Sequence, residues 1–311
     1  MPTTPSRSLA LVALVSTLVL TAHVSAQASG SPSAPTTGVT IPIERTIASG
    51  LVLGAGLTLY FAGTGQPWLQ PRWRGGILAD DAMRDAMRIG SPEGRALAAS
   101  LSDGLLALVM AAPLVIDAWA TPLLQNDPQL AVDASLAYSL AMGITLVLGD
   151  LVKTAVGRAR PYERLCAGDP AAPGCGTADS YASFYSLHTA MAFTSAGFTC
   201  AMHLERTLFD DPAADLSMCG ASIVAATAVG ALRIASDRHY LSDVVVGALM
   251  GFVVGYLVPT LLVPPRHRRA SDLVEAGMES RTSTFVMPML GLGGGGQTGG
   301  TTIGASISGT F

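Results

Sequence analysis

Six apolar stretches, each long enough for a helix and separated by polar turns, set the strongest limit on how this chain can fold. They run roughly over residues 47–62, 97–120, 130–152, 186–203, 219–236 and 244–263. Acids interrupt the second (Asp103, Asp117) and the third (Asp133, Asp150), and only the last reads as an uninterrupted lipid span. Half of the 311 residues are hydrophobic and 13% are charged, too apolar for an ordinary soluble domain. Gly, Ala, Ser and Thr recur through the stretches and permit close helix contact. The expected fold is all-α: a six-helix, membrane-associated bundle over residues 43–263, in which some helices pack inside and see little lipid.

The flanks differ in character. Residues 1–26 read as a signal peptide, with Arg7 at the charged start, Leu9 to Leu20 as the apolar stretch and cleavage after Ala26; a retained transmembrane helix is the alternative. Residues 27–42 read as a Ser/Pro/Thr/Gly linker. Between the first two apolar stretches, Trp68, Trp73 and an amphipathic helix beginning at Asp80 suit either a membrane interface or a solvated surface. Residues 264–311 form a basic flank, Arg266 to Arg269, and a Gly-rich tail whose β-prone segments, Thr284–Leu290 and Thr301–Phe311, could pair as a short hairpin. The net charge of -4 argues against a nucleic-acid partner, and no obligate protein partner is evident.

Chemistry concentrates where polar residues break the apolar pattern. Arg233 stands six residues before His239, and Asp243 four after it. On a helix, i and i+4 share a face, so Asp243 is expected to accept a hydrogen bond from one ring nitrogen of His239 and leave the other free to attack. Arg233 offers a planar fork of donors suited to phosphate oxygens. Taken alone, this cluster also reads as a surface salt-bridge network. Upstream, Lys153 and Arg160-Pro161 have the spacing Lys-x6-Arg-Pro, and Tyr185-Ser186-Leu187-His188 precedes the fourth apolar stretch. Lys153 is the single lysine among eighteen basic residues.

In chain order these stretches resemble the three motifs of the type 2 phosphatidic acid phosphatase (PAP2) superfamily, which includes lipid phosphate phosphatases and vanadium haloperoxidases. The resemblance covers Lys153 to Asp243 and the helices on either side. Tyr185, Leu187 and Leu232 depart from the motifs' Pro, Gly and Ser, and Leu187 could crowd a bound phosphate. The resemblance implies a PAP2-type bundle and a metal-independent, cofactor-free phosphatase. His239 would be the nucleophile that forms a phosphohistidine, with Asp243 orienting it. His188 would protonate the leaving alcohol and then activate water. Lys153, Arg160 and Arg233 would hold the phosphoryl oxygens, with Ser186 and nearby amides adding donors. The remaining histidines, His23, His203 and His267, are too scattered for a metal set, and His203 reads as structural. Arg158, Asp237 and Arg238 read as solvated or paired surface charge, with a supporting role at the site as the alternative.

In an up-and-down bundle all these residues fall at one end. A lipid phosphate or diphosphate is the expected substrate; a soluble-type periplasmic acid phosphatase, or a catalytically weak structural or lipid-binding member, are the alternatives. Cys166 with Cys175, and Cys200 with Cys219, are expected to form disulfides, which persist in oxidising compartments. The first pair places the active-site end in the periplasm, whereas a count of six full spans from an outside N-terminus places it in the cytoplasm. The two pairs fall at opposite ends of the bundle, so oxidation of both implies helices only partly embedded in lipid.

Overall fold

A computed structural model describes residues 39–63, 72–170 and 174–264. The expected signal peptide, most of the expected linker, Trp68 and the tail with its expected hairpin lie outside the described residues. The helices are α1 (Ile43–Gly63), α2 (Asp80–Met87), α3 (Pro92–Ala112), α4 (Thr121–Leu124), α5 (Pro128–Val156), α6 (Leu187–Leu204), α7 (Pro212–Ala235) and α8 (Leu241–Leu262). A π-helical segment, Pro113–Ala120, joins α3 to α4 without a break. The described residues contain no strand beyond one isolated bridge between Trp73 and Arg158.

Local sequence starts and stops these helices. Ser91-Pro92, Asp127-Pro128 and Asp211-Pro212 each put an oxygen-bearing cap before a proline whose missing N–H costs the first turn nothing. The cap side chains accept from Gly94 N, Leu130 N and Ala213 N. α5 stops at Gly157, whose φ of 57° lies in the left-handed region and returns the chain toward the bundle.

The long helices run up and down. Arg45 donates to the Leu262 carbonyl at 3.0 Å, bringing the start of α1 beside the end of α8. Ile89 N donates to the Ala235 carbonyl at 3.0 Å, setting the entry to α3 beside the end of α7. α6 is the innermost helix and is buried along nearly its whole length. Gly247, Gly251 and Gly255 bring α8 against the Ser186, Ala190 and Thr194 carbonyls of the α6 segment, closer than any Cβ would allow.

Four helical segments are long and apolar enough to cross a membrane: Pro92–Leu124, Pro128–Val156, Pro212–Ala235 and Leu241–Leu262. The expectation that only the last would serve is therefore corrected. Two of the acids that interrupt the others, Asp117 and Asp133, find partners within the bundle. Asp117 accepts from Thr199 Oγ1 at 2.6 Å inside the bundle, and Asp133 lies 3.8 Å from Arg45. Leu101, Leu108, Val224, Leu249, Val253 and Leu257 are among the exposed apolar residues on α3, α7 and α8.

Candidate active site

The site lies where α5 ends, α6 begins and α7 turns into α8. Asp237 adopts a φ of 61°, which an Asp tolerates, and closes the turn after α7. Arg238 N and His239 N both return to the Arg233 carbonyl. α8 starts at Leu241, with Tyr240 as cap residue and Asp243 accepting from Tyr240 N at 2.9 Å. His239 therefore precedes the helix. The expected same-face argument for His239 and Asp243 is corrected: a turn and a capping carboxylate bring them together, not one helical face. They are close without being bonded, since Asp243 Oδ2 is 3.6 Å from His239 Nδ1, which has no hydrogen-bond partner.

Asp243 is held from three sides. Ser183 Oγ donates to Oδ2 at 2.6 Å, Arg158 donates to Oδ1 at 2.5 Å, and Tyr240 N supplies the third bond. Arg158 is fully buried between the rings of Trp73 and Tyr240, 4.0 and 4.1 Å from their centroids. It also donates to Asp80 at 2.7 Å and to Ser242 Oγ at 2.8 Å. Asp80 in turn accepts from Ser242 N at 2.7 Å, which docks α2 on the start of α8. Asp237 is buried and takes Arg84 at 2.6 Å and Arg88 at 3.0 Å. Arg158 and Asp237 are thus buried ion pairs rather than solvated charge, while Arg238 stays partly exposed.

Arg160 reaches His239. Its Nη1 lies 3.1 Å from His239 Nε2, and the same guanidinium is clamped by Asp179 through Oδ1 at 2.7 Å and the carbonyl at 2.9 Å. An arginine can only donate, so Nε2 is the acceptor and Nδ1 carries the proton facing Asp243. Burial first, then the charges of Arg160, Lys153 and Arg233, hold the His239 imidazole well below the ordinary histidine range. Burial alone would raise the Asp179 carboxyl, but Arg160 and Lys153 outweigh it and bring it down to about 2.

A cavity of about 840 Å³ opens onto this cluster. Lys153, Arg160, His188 and Arg233 line its polar end, together with Asp103, Asp150, Asp179 and Arg238. Leu53, Leu57, Leu106, Met110, Leu114 and Leu146 line its apolar end. His188 Nε2 is 3.0 Å from Asp103 Oδ1, and Arg233 pairs with the same oxygen. Ser186 is buried as the cap of α6, and its hydroxyl accepts from Thr189 Oγ1 at 2.9 Å. Leu187 is buried, with its side chain over Gly149 of α5.

The structure thus gathers Lys153, Arg160, His188 and Arg233 around one cavity, with His239 behind Arg160, Asp243 behind His239, and Ser186 in a capping position. It adds Asp103, Asp179 and Ser183. An acid inside an apolar helix is a sign of function that could have flagged Asp103; Asp179 and Ser183 sit in an irregular loop with no comparable signal. His203 lies fifteen residues along α6 from His188, roughly 22 Å at 1.5 Å per residue. It is buried between Asp215, at 2.6 Å, and Asp117, at 3.3 Å. Cys166 is bonded to Cys175 in the loop after Arg160, and Cys200 to Cys219 between α6 and α7. Among the described residues no group of three or more His, Cys, Asp or Glu is placed to hold a metal ion.

A helical membrane-type bundle that gathers two histidines and three cations at one end defines a class, and the comparisons with known proteins agree. Residues 134–265 match the family model of the PAP2 superfamily, so that this part of the chain is similar to that superfamily. A protein of Schizosaccharomyces pombe, "Probable diacylglycerol pyrophosphate phosphatase 1", is 28% identical over 152 residues, which cover 42% of this chain and 54% of that one. The chain therefore spans about half the length of the curated relative it matches. No solved structure matches the chain.

Proposed function

We propose that the protein is a metal-independent phosphatase that hydrolyses a lipid phosphate or diphosphate through a phosphohistidine on His239. The observation that carries this reading is the shape of one cavity: apolar at the end lined by Leu53, Leu106 and Met110, cationic at the end lined by Lys153, Arg160 and Arg233. A long apolar chain and a phosphate on one molecule fit those two ends together, and a small soluble phosphomonoester needs only the second. The name of the yeast relative, a diacylglycerol pyrophosphate phosphatase, points to the same substrate class.

In this reading the phosphate draws Arg160 off His239 Nε2. That nitrogen attacks phosphorus as the bond to the leaving oxygen breaks, and His188 gives the leaving oxygen its proton. The Nδ1 proton of His239 moves toward Asp243, whose negative charge stabilises the charged ring. Water then attacks the phosphohistidine, losing its proton to His188 and releasing inorganic phosphate and free His239. Lys153, Arg160 and Arg233 hold the phosphoryl oxygens throughout. Lys153 makes no hydrogen bond with another described side chain, so its ammonium is available.

Phosphate release from lipid phosphates by detergent-purified protein tests this, with His239→Ala as control. Unchanged activity in that variant, or complete loss with EDTA restored by a divalent ion, overturns the reading. Turnover of small phosphomonoesters alone would favour the soluble-type alternative. The Cys166–Cys175 loop further supports placing the site end of the bundle in an oxidising, periplasmic compartment. Thiols at Cys166 and Cys175 that are free without reductant, and reachable by a label only after the inner membrane is opened, would overturn that placement.

A further inference from the structure

We propose that Asp103 is an internal competitor for the phosphate position: a carboxylate of the protein holds Arg233 and His188 until a substrate phosphate displaces it. The inference rests on the reading of Arg233 as a phosphate ligand. Asp103 rides on α3, where its Oδ1 alone meets both His188 Nε2, at 3.0 Å, and Arg233 Nη2. Its side chain is 61% exposed, and what it faces is the cavity that Lys153 and Arg160 also line.

Four other acids of the bundle have structural partners. Asp117 and Asp215 share His203, Asp133 meets Arg45, and Asp237 takes Arg84 and Arg88. Asp103 has no such anchor; both of its partners belong to the site. A phosphoryl oxygen makes the same demand on Arg233 as a carboxylate oxygen does. If the phosphate took Arg233 with Asp103 still in place, two anions would share one donor in a partly desolvated cavity, where like charges repel strongly. The exposed carboxylate is free to turn away into the cavity. Its departure also releases the His188 Nε2 proton, which in the resting site points at Asp103 rather than at a leaving oxygen. Asp103 thereby sets phosphate affinity and couples phosphate arrival to the release of the acid.

The test measures orthovanadate and inorganic phosphate binding to the full chain in detergent by calorimetry, with KM and kcat on a lipid phosphate alongside. Asp103→Asn keeps the shape and removes the competing charge, so it should bind both anions about tenfold or more tightly, with a fall in KM. Asp103→Ala should do the same if Asp103→Asn folds poorly, because the carboxylate fills no buried space. Asp150→Asn controls for charge in general, since Asp150 lines the cavity without contacting His188 or Arg233. If Asp103→Asn binds the anions no more tightly than wild type or Asp150→Asn and loses only kcat, Asp103 is a fixed orienting partner of His188. The competitor role is then overturned and the phosphatase reading stands. If neither wild type nor Asp103→Asn binds either anion, the phosphate-site reading itself fails and this inference fails with it.

Discussion

Arg160 places its guanidinium 3.1 Å from Nε2 of His239, so the cation that would receive the phosphate also covers the nitrogen that would attack it. The fork is set by Asp179, which takes Nε and Nη2 and leaves Nη1 to donate to the Arg238 carbonyl and the imidazole, each at 3.1 Å. Arg160→Lys keeps the charge but loses this geometry. It should lower kcat by about 100- to 1000-fold, the usual effect of removing one aimed donor. Rapid quench with labelled substrate should also trap a base-stable, acid-labile phosphoprotein in wild type and none in His239→Ala. Wild-type turnover in Arg160→Lys would show that the fork is dispensable.

Arg158 is the buried cation on which Asp80 and Asp243 both depend. Arg158→Ala leaves two carboxylates inside the protein without their counter-charge, and removing one partner of a buried pair costs about 3–5 kcal/mol. Arg158→Lys should rescue little, because a lysine cannot stack between Trp73 and Tyr240 while donating to two acids. Thermal unfolding in detergent checks both; a melting curve for Arg158→Ala that matches wild type would mean the network is ornamental to the fold.

Leu187 stands where the family motif has glycine, yet its side chain fills a notch above Gly149. An alanine at 149 would collide with it, so the pair is matched in size. Leu187→Gly should therefore destabilise the protein, by about 2–5 kcal/mol on the scale of buried leucine truncations, without speeding turnover. A stable and faster Leu187→Gly variant would mean that the leucine crowds the phosphate after all.

Acid should weaken the fold in two windows. The folded His239 pKa lies below its unfolded value of about 6.5. Below pH 6.5 the unfolded chain binds a proton that the folded chain refuses, so stability falls as pH drops and is highest above that value. Asp179 is depressed to about 2 when folded, against about 3.9 unfolded. Its contribution is present above pH 4 and disappears as pH falls toward 2. Melting temperatures from pH 7.5 to 5 should decline in wild type and decline less, by up to one proton's worth of slope, in His239→Gln. Identical slopes would place the titrating group elsewhere. If His239 is the nucleophile as proposed, its acid limb in kcat/KM should likewise lie below pH 6.5.

The sequence by itself determined the helices and the end of the bundle where chemistry gathers. Ser-Pro and Asp-Pro starts, apolar runs and a glycine stop are local signals, and alternating helices carry Lys153, His188, Arg233 and His239 to one end whatever the details of packing. Spacing could not reveal how those residues meet. His239 and Asp243 are four apart, but a turn separates them, and its backbone rather than helical periodicity sets their 3.6 Å separation. Arg158 read as surface charge because charge usually is; only folding shows that Trp73, Asp80, Tyr240 and Asp243 converge on it. Asp103 lies 85 residues from His188 and 130 from Arg233, and no local pattern relates one acid in an apolar helix to two bases on other helices. Their meeting is decided by the packing of α3 against α6 and α7, a property of the tertiary structure.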